Sequence, residues 1–288
     1  MSHRRDIESE LRISGEIRGI LRTLENMARL EAHRLGRFLE MQRRVVAGIA
    51  AAATDFRAFH PELFLAEEIK DVFVLLGSER GFCGDFNTSI LRDYEAHSRD
   101  TEDVQRGKAG VVIAGTRLRV KAEDAFPQAV FVESASLADE IEATLVRIMD
   151  AVSQAHGSGS MASLRLTVFH HHEPGEVVRA SVLYPFEQPE SPVTHYVDPP
   201  ELLLEPAVFA RELLEQYLFA RLHELLYSSL LTENQIRVEH LESAVQRLDR
   251  RSAELLRQRN VLRQEEITEE IEVIMLSAEL MSEVRESP

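Results

Sequence analysis

Three stretches of this sequence hold residue types that could do chemistry. The first is LLGSERGFCGDFNTSI, residues 75–90, where Gly77, Gly81, Gly84 and the only cysteine, Cys83, follow an apolar run. Glycines between a strand and a helix can cradle a phosphate. A phosphate loop of the G-x-x-x-x-G-K-[ST] type needs a lysine on the terminal phosphates and a hydroxyl on magnesium, and here Asp85 follows the last glycine with no lysine nearby. A dinucleotide loop needs G-x-G-x-x-G, and the spacing here is wider. An acid at the start of the following helix would also repel phosphate, so no nucleotide site is expected. Cys83 could be a nucleophile near that helix terminus, yet no motif names its base. It reads as a small, semi-buried residue in a tight loop. The second stretch is His170-His171-His172. In a strand, His170 and His172 would share a face that could bind a metal, but no further ligand completes the set. An exposed strand end is the expectation. The third is Glu265, Glu266, Glu269 and Glu270, whose i, i+4 spacing makes a solvated helical face rather than a catalytic carboxylate pair. No catalytic residue, cofactor or metal is expected; the chain reads as one that works through partners.

The elements that must position these stretches are marked by where glycine and proline fall. No proline precedes Pro61, no glycine follows Gly175, and the 81 residues between Pro206 and Pro288 contain neither. The fold class is therefore read as α/β with long terminal helices. Residues 1–60 form an N-terminal coiled-coil helix, 61–205 an α/β domain, and 206–288 a C-terminal coiled-coil helix. Strands are predicted at 70–76, 110–114, 129–133, 164–171 and 177–184, the first three being short apolar runs of the kind buried in parallel sheets. Helices are predicted at 87–98, 116–124 and 136–156. HHEPGE links the last two strands as a hairpin, which gives a Rossmann-like domain with a mostly parallel five-stranded sheet.

In the first helix Ile17, Leu21, Leu24, Ala28, Glu31, Leu35, Phe38, Gln42, Val45 and Ile49 step alternately by four and three, which is a heptad seam. In the last, Leu241, Val245, Leu248, Ser252, Leu255, Arg259 and Leu262 do the same; the seam is then expected to shift by one, to Ile267, Ile271, Ile274 and Ala278. At 1.5 Å per residue the helices would run roughly 85 and 120 Å. They are expected to pair with each other, antiparallel, with residue 59 near 206. Counting back then leaves the chain beyond about residue 262 projecting. That tip, ITEEIEVIMLSAELM, is apolar on nearly every side around residues 273–281. It reads either as a frayed or folded-back end or, preferably, as a segment inserted into an apolar sleeve made by a partner.

The net charge is −16, divided as +3 over residues 1–60, −11 over 61–200 and −8 over 201–288. Such a chain would repel nucleic-acid phosphates. One cysteine excludes an internal disulfide and fits a reducing compartment. No run reaches the roughly 18–20 apolar residues that span a bilayer.

The motifs resemble the gamma subunits of F-type ATP synthases. Ser78 to Asn87 is similar to that family's S-[TD]-[DR]-R-G-L-C-G-G-[LF]-N; Leu262 to Ile271 to its A-R-Q-A-x-I-T-x-E-[LI]; Leu231 to Arg237 to its A-S-E-x-x-A-R; and His60-Pro61 to the H-P after its first helix. The resemblance implies a central rotor shaft, without an active site of its own, transmitting torque between a membrane c ring and a catalytic ring. Its implied partners are the alpha and beta subunits of that ring, the epsilon subunit and the c-subunit ring. Membrane association would come only through the complex, at the cytoplasmic face of a bacterial inner membrane, since no transit peptide is evident. Glu233, Arg237, Gln264, Thr268 and Glu270 match shaft positions that touch the catalytic subunits, with Arg263 beside them. Arg22 is a further candidate contact, and Arg80 and Asp85 are available to epsilon or the c ring.

The sequence also departs from the family. The lysine closing I-T-x-A-M-x-M-V-A-A-[SA]-K is Glu31 here, a charge reversal. The second glycine of C-G-G is Asp85. Val238 to Arg247 replaces M-x-A-M-x-x-A-x-x-N. This suits a divergent member, with the alternative, often sodium-linked, bacterial branch as one placement. The rival readings are a coiled-coil scaffold or adaptor with an α/β head, which would homodimerise, and an enzyme using the glycine-rich loop.

Overall fold

The computed structural model describes residues 2–64, 70–98, 109–157, 164–174, 176–183 and 201–286. The order is α1 (Ser2–Phe59), β1 (Lys70–Leu76), α2 (Phe86–Ser98), β2 (Gly110–Ala114), α3 (Thr116–Ala122), β3 (Val130–Val132), α4 (Ile141–His156), β4 (Leu164–Glu173), β5 (Glu176–Leu183) and α5 (Pro206–Glu286), with 3-10 turns at Pro61–Phe64 and Ala138–Glu140. All five predicted strands and the long terminal helices are present. Pro206 opens α5, where its missing N–H costs nothing. Most of the proline-rich return, residues 184–200, lies outside the described residues.

The sheet runs β3-β2-β1-β4-β5. The first four strands are parallel, and β5 joins β4 antiparallel. Successive side chains of a strand point to opposite faces, and both faces here are covered. Phe73, Leu75, Ile113 and Phe169 meet Phe86, Ile90 and Tyr94 of α2 and Leu118 of α3. Val72, Val74, Val112, Leu166 and Val168 meet Ile141, Leu145 and Ile148 of α4, together with Leu35 of α1 and Leu218, Leu222 and Leu226 of α5. The covered faces are why β1 and β2 are almost uninterrupted apolar runs.

The chain divides into two compact units, residues Met1–Asn26 with Leu241–Pro288, and residues Met27–His240. This division cuts across both long helices. Within each unit the helices run antiparallel. In the sheet-bearing unit Gln42 Nε2 donates to Ala220 O at 2.9 Å, and Phe56 lies 4.8 Å from Phe209, ring to ring. In the two-helix unit Arg4 meets Glu266 at 2.7 Å, Glu10 meets Arg251 at 3.0 Å, and Arg18 meets Asp249 at 3.0 Å.

The seam of α1 differs from the expected one on one side. Leu21, Ala28, Leu35, Gln42 and Ile49 do turn inward, but the alternate positions are Arg18, Glu25, Ala32, Leu39 and Val46, one residue later than expected. Ile17, Leu24 and Val45 are exposed. A single line of residues seven apart can be flanked on either side, and apolar type favoured the wrong flank. The interhelical ion pairs of Arg18 and Arg22 with Asp249 belong to the other one. On α5 the expected seam holds through Leu262, but it continues to Glu266 without a shift. Ile267, Ile271 and Ile274 face outward, and the side chain of Ala278 lies outside the described residues.

Candidate functional site: the strand-to-helix loop and the paired helices

The loop after β1 is built by small residues in close contact. Gly77 N donates to Ala114 O at 2.8 Å, and a Cβ on Gly77 would sit 2.2 Å from Leu118 Cβ. Asn87, at the start of α2, reaches back: its Oδ1 accepts from Ser78 N at 2.9 Å and its Nδ2 donates to Ser78 Oγ at 2.8 Å. Gly84 takes φ +55°, and a Cβ there would meet His240 Nε2 at 2.2 Å. Between the two glycines Phe82 also takes a positive φ, 64°, and its ring is 55% exposed.

This loop lies at the carboxyl ends of β1, β2 and β3, where open α/β sheets hold ligands. Two amides at this end, those of Thr116 and Ser134, are already used. The Glu79 carboxylate accepts from Thr116 N at 3.0 Å, from Ser134 N at 3.0 Å and from the Thr116 hydroxyl. The chain's own acid thus occupies the position an anionic ligand would take. Cys83 is buried, with Sγ 3.1 Å from Ser78 Oγ, and burial pushes its thiol pKa up. A thiol held protonated is a poor nucleophile, so both chemical readings of the loop fail on geometry.

Glu233 and Arg237 are corrected in the same place. The resemblance puts them on a partner-facing surface, but they are 2% and 8% exposed. Arg237 Nη2 pairs with Glu233, Nη1 donates to Asn234 Oδ1 at 2.9 Å, and Nε donates to Gly81 O at 3.2 Å. A tight loop leaves carbonyls without partners, and this guanidinium satisfies one while tying the loop to α5. Burial lifts the Glu233 pKa to about 7 against the opposing pull of Arg237.

The histidines also differ from expectation. β4 is an interior strand, so His170 and His171 are buried and only His172 is exposed. His171 stacks on Phe86 at 4.1 Å between ring centres, and its Nε2 lies 3.1 Å from Ser89 Oγ. Burial lowers the His170 pKa to about 4. Among the described residues no group of three metal-ligating side chains forms.

What the loop leaves outside is Arg80, Phe82 and Asp85, all exposed. Phe82 was missed in the sequence; an aromatic between two glycines of a tight turn was the available signal. In the two-helix unit Arg263, Gln264, Thr268 and Glu270 are exposed on α5, and Arg22 is exposed on α1, 3.6 Å from Asp249. Thr268 Oγ1 donates back to Gln264 O at 2.9 Å. Arg4, Arg5, Glu8, Glu266, Glu269, Glu270, Val273 and Ile274 line an open groove of about 700 Å³. Val273, Ile274, Met275 and Leu276 are 66, 65, 59 and 59% exposed. A second stripe, Ile13, Ile17, Ile20 and Leu24, is 36 to 61% exposed on α1 at heptad spacing. Acidic and basic side chains alternate with both apolar surfaces.

A sequence profile of the family described as ATP synthase matches residues 3–281. The ATP synthase gamma chain of Methylacidiphilum infernorum is 28% identical over 225 residues, covering 74% of each chain. That of Bdellovibrio bacteriovorus is 26% identical over 258 residues, covering 83% of each. The chain belongs to the ATP synthase gamma family. Among solved structures, this gamma-family chain resembles a chain of the Euglena gracilis mitochondrial ATP synthase rotor, with a TM-score of 0.58 at 12% identity, covering 92% of this chain and 99% of that one. A chain of the Tetrahymena thermophila mitochondrial ATP synthase central stalk and c ring gives a TM-score of 0.52 at 15% identity, covering 78% and 99%. Both likenesses concern the fold. Among the described residues, no helix of this gamma-family chain is long and apolar enough to cross a membrane.

Proposed function

We propose that this chain is the central-stalk rotor subunit of a rotary ATP synthase, transmitting torque between a membrane c ring and a catalytic alpha/beta ring. The observation that carries the reading is α5: 81 unbroken helical residues, paired antiparallel with α1, whose turns at Val273–Leu276 are apolar and uncovered. Water does not favour such a surface, and an enclosing sleeve of alpha and beta subunits would cover it. The stripe Ile13, Ile17, Ile20 and Leu24 asks for the same cover. Arg22, Arg263, Gln264, Thr268 and Glu270 are then the polar contacts with the catalytic subunits. Arg80 and Asp85, beside exposed Phe82, serve epsilon or the c ring. Glu233 and Arg237 act from within, by fixing the loop that presents these residues.

In this mechanism ion flow turns the c ring and the attached α/β domain, and the helix pair turns inside the catalytic ring. Each beta subunit meets a different face of the pair in turn. A face can shift nucleotide affinity only through contacts that differ between the subunit's states. The asymmetric distribution of apolar and charged side chains around the pair supports this reading, because it offers each beta subunit a different set of contacts in turn. The complex would lie at the cytoplasmic face of a bacterial inner membrane, with this chain peripheral.

The test is reconstitution with purified alpha and beta subunits. The expected result is one chain per ring, and ATP turnover that depends on its presence. Val273→Asp with Met275→Asp should weaken assembly while leaving the helical signal of the isolated chain unchanged. A chain that instead homodimerises at micromolar concentration and ignores the ring would be a scaffold, and the rotor reading would fall.

A further inference from the structure

Glu31 is the charge reversal among the departures from the family pattern, and the structure gives it a partner inside the chain. A helix leaves its first amides without acceptors. At the helical segment that opens at Ala138, Glu140 Oε2 accepts from Ser136 N at 2.7 Å and from Leu137 N at 3.2 Å. The next amide, Ala138 N, donates to Glu31 Oε1 on α1 at 2.5 Å. A lysine could not make this bond, because an ammonium has donors and no acceptor.

One turn along α1, Arg34 forks onto the Asp139 carboxylate. Its Nη1 donates to Oδ2 at 2.9 Å, and its Nη2 bonds Oδ1. The guanidinium holds the Asp139 carboxyl below its ordinary pKa. It also lies over Phe38, 5.5 Å from the ring centre, and Phe38 meets Tyr227 of α5 at 5.7 Å. Leu35, next to Arg34 on α1, is fully buried in the core shared with Ala138 and Ile141. So α1 grips the start of α4 by an apolar residue and, beside it, two polar contacts of opposite sign, an acceptor for the helix amide and a donor for the neighbouring carboxylate. Such a paired arrangement fixes the helix end in direction as well as in distance.

We propose that Glu31 and Arg34 form a latch holding the start of α4 against α1, so that the α/β domain turns as one body with the helix pair. This rests on the rotor reading, in which torque enters at the α/β domain and leaves through the helices. The apolar contacts of Leu35 and α5 hold the domain without fixing its direction; the two polar bonds resist rocking about them. They are positioning residues, and neither touches nucleotide.

Two measurements test the latch. In the isolated chain, the Ala138 amide of the Glu31→Lys, Arg34→Ala double variant should exchange hydrogen about tenfold faster, the loss of a charge-assisted bond. Glu31→Gln, which keeps an acceptor, should fall between. In the complex, with the helix pair held in a stalled alpha/beta ring, the angular variance of a probe on the α/β domain should rise about twofold, since the packed core remains as the other support. The melting midpoint and ATP hydrolysis should stay close to those of the unaltered chain. Glu31→Ala alone, which removes the acceptor of the Ala138 amide and leaves Arg34 and the core untouched, repeats the test if the double variant fails to fold. Unchanged variance despite faster Ala138 exchange would overturn the latch, as would unchanged exchange. Failure of the unaltered chain to assemble with the ring would instead overturn the rotor reading, and the mechanical role of the latch with it.

Discussion

The two compact units are held together by different means. In residues 27–240 the sheet has both faces covered, and one apolar cluster joins strands, α4 and parts of both long helices. In the unit of residues 1–26 and 241–288 the apolar cluster is small, built on Leu21, Leu241 and Val245, with Ala244 and Leu248 against it. The other seam positions include Ser14, Arg18 and Glu25, and ion pairs cross between the helices. Ile7 and Leu255 are also buried, but Ile13, Ile17 and Ile20, which could have thickened this core, face outward. A unit that existed for its own stability would not spend its isoleucines that way. The sheet-bearing unit buries its core between its own elements; the helix pair leaves isoleucines uncovered.

The largest expected effects put that contrast under strain. Phe169 is fully buried between the sheet and α2, and Phe169→Ala should cost about 3–5 kcal/mol. Loss of that core should appear as one cooperative drop in the melting midpoint. Leu241 is also fully buried, but in the thin seam. Leu241→Ala should cost about 2–3 kcal/mol, near the low end for leucine because the neighbours can close in. Hydrogen exchange should then speed up in residues 7–26 and 241–262 while the sheet amides keep their protection. Equal loosening of the sheet would show that the two units melt as one and that the contrast is only one of composition.

The sheet and its order were legible because burial on both faces leaves apolar runs bounded by glycine and proline. The long helices were legible because an 81-residue interval contains neither breaker. The seam was half legible. The line through Leu21, Ala28 and Leu35 is unambiguous, but its flank is set by Arg18 and Arg22 reaching Asp249 on a helix more than two hundred residues away. Glu233 and Arg237 look like surface charges in sequence. Their burial depends on a loop carbonyl, that of Gly81, which no local pattern reveals. His170 and His171 were misplaced for a related reason: the end of a strand is exposed only when its neighbours stop short. Here Phe86, at the start of α2, covers His171. Glu79 was readable as an acid in a loop, but not as the acceptor that fills the ligand position.

A second contrast, of pH dependence, should be confined to the sheet-bearing unit. Glu233 has its pKa raised from 4.5 to about 7 by burial. Between those values the folded state holds more protons than the unfolded one, so stability falls as pH rises, and the loss is complete above about 7. His170 has its pKa lowered from 6.5 to about 4, also by burial. Across that window the unfolded state holds more protons, so stability rises with pH. The two slopes oppose each other where the windows overlap, and the native chain should show a shallow profile there. Glu233→Gln should unmask a rising profile and His170→Gln a falling one in urea titrations from pH 4 to 8. Profiles that remain flat in both variants would mean that neither group titrates with folding.

The smallest effect concerns the ion pairs of the helix pair. Arg18 and Asp249 are 3.0 Å apart, with side chains 43 and 41% exposed. Solvent screens such a pair, and its net worth is about 0.5 kcal/mol or less. Arg18→Ala should therefore scarcely move the melting midpoint, and 1 M salt should erase the difference, since the screening length is then about 3 Å. The informative outcome is register. Arg18 occupies a seam position that Ile17 could take if α1 turned by one residue, which would bury Ile17 and Leu24 in place of Arg18 and Glu25. Arg18→Leu places an apolar side chain at the seam position, so it should stabilise the observed flank and leave Ile17 exposed. Arg18→Asp would face Asp249 with a like charge and favour the other flank. Cysteine probes at positions 17 and 25, read by their labelling rates, separate the two. Slow labelling at 17 and fast labelling at 25 in Arg18→Asp would make this weak surface pair the switch that keeps the isoleucine stripe on the outside.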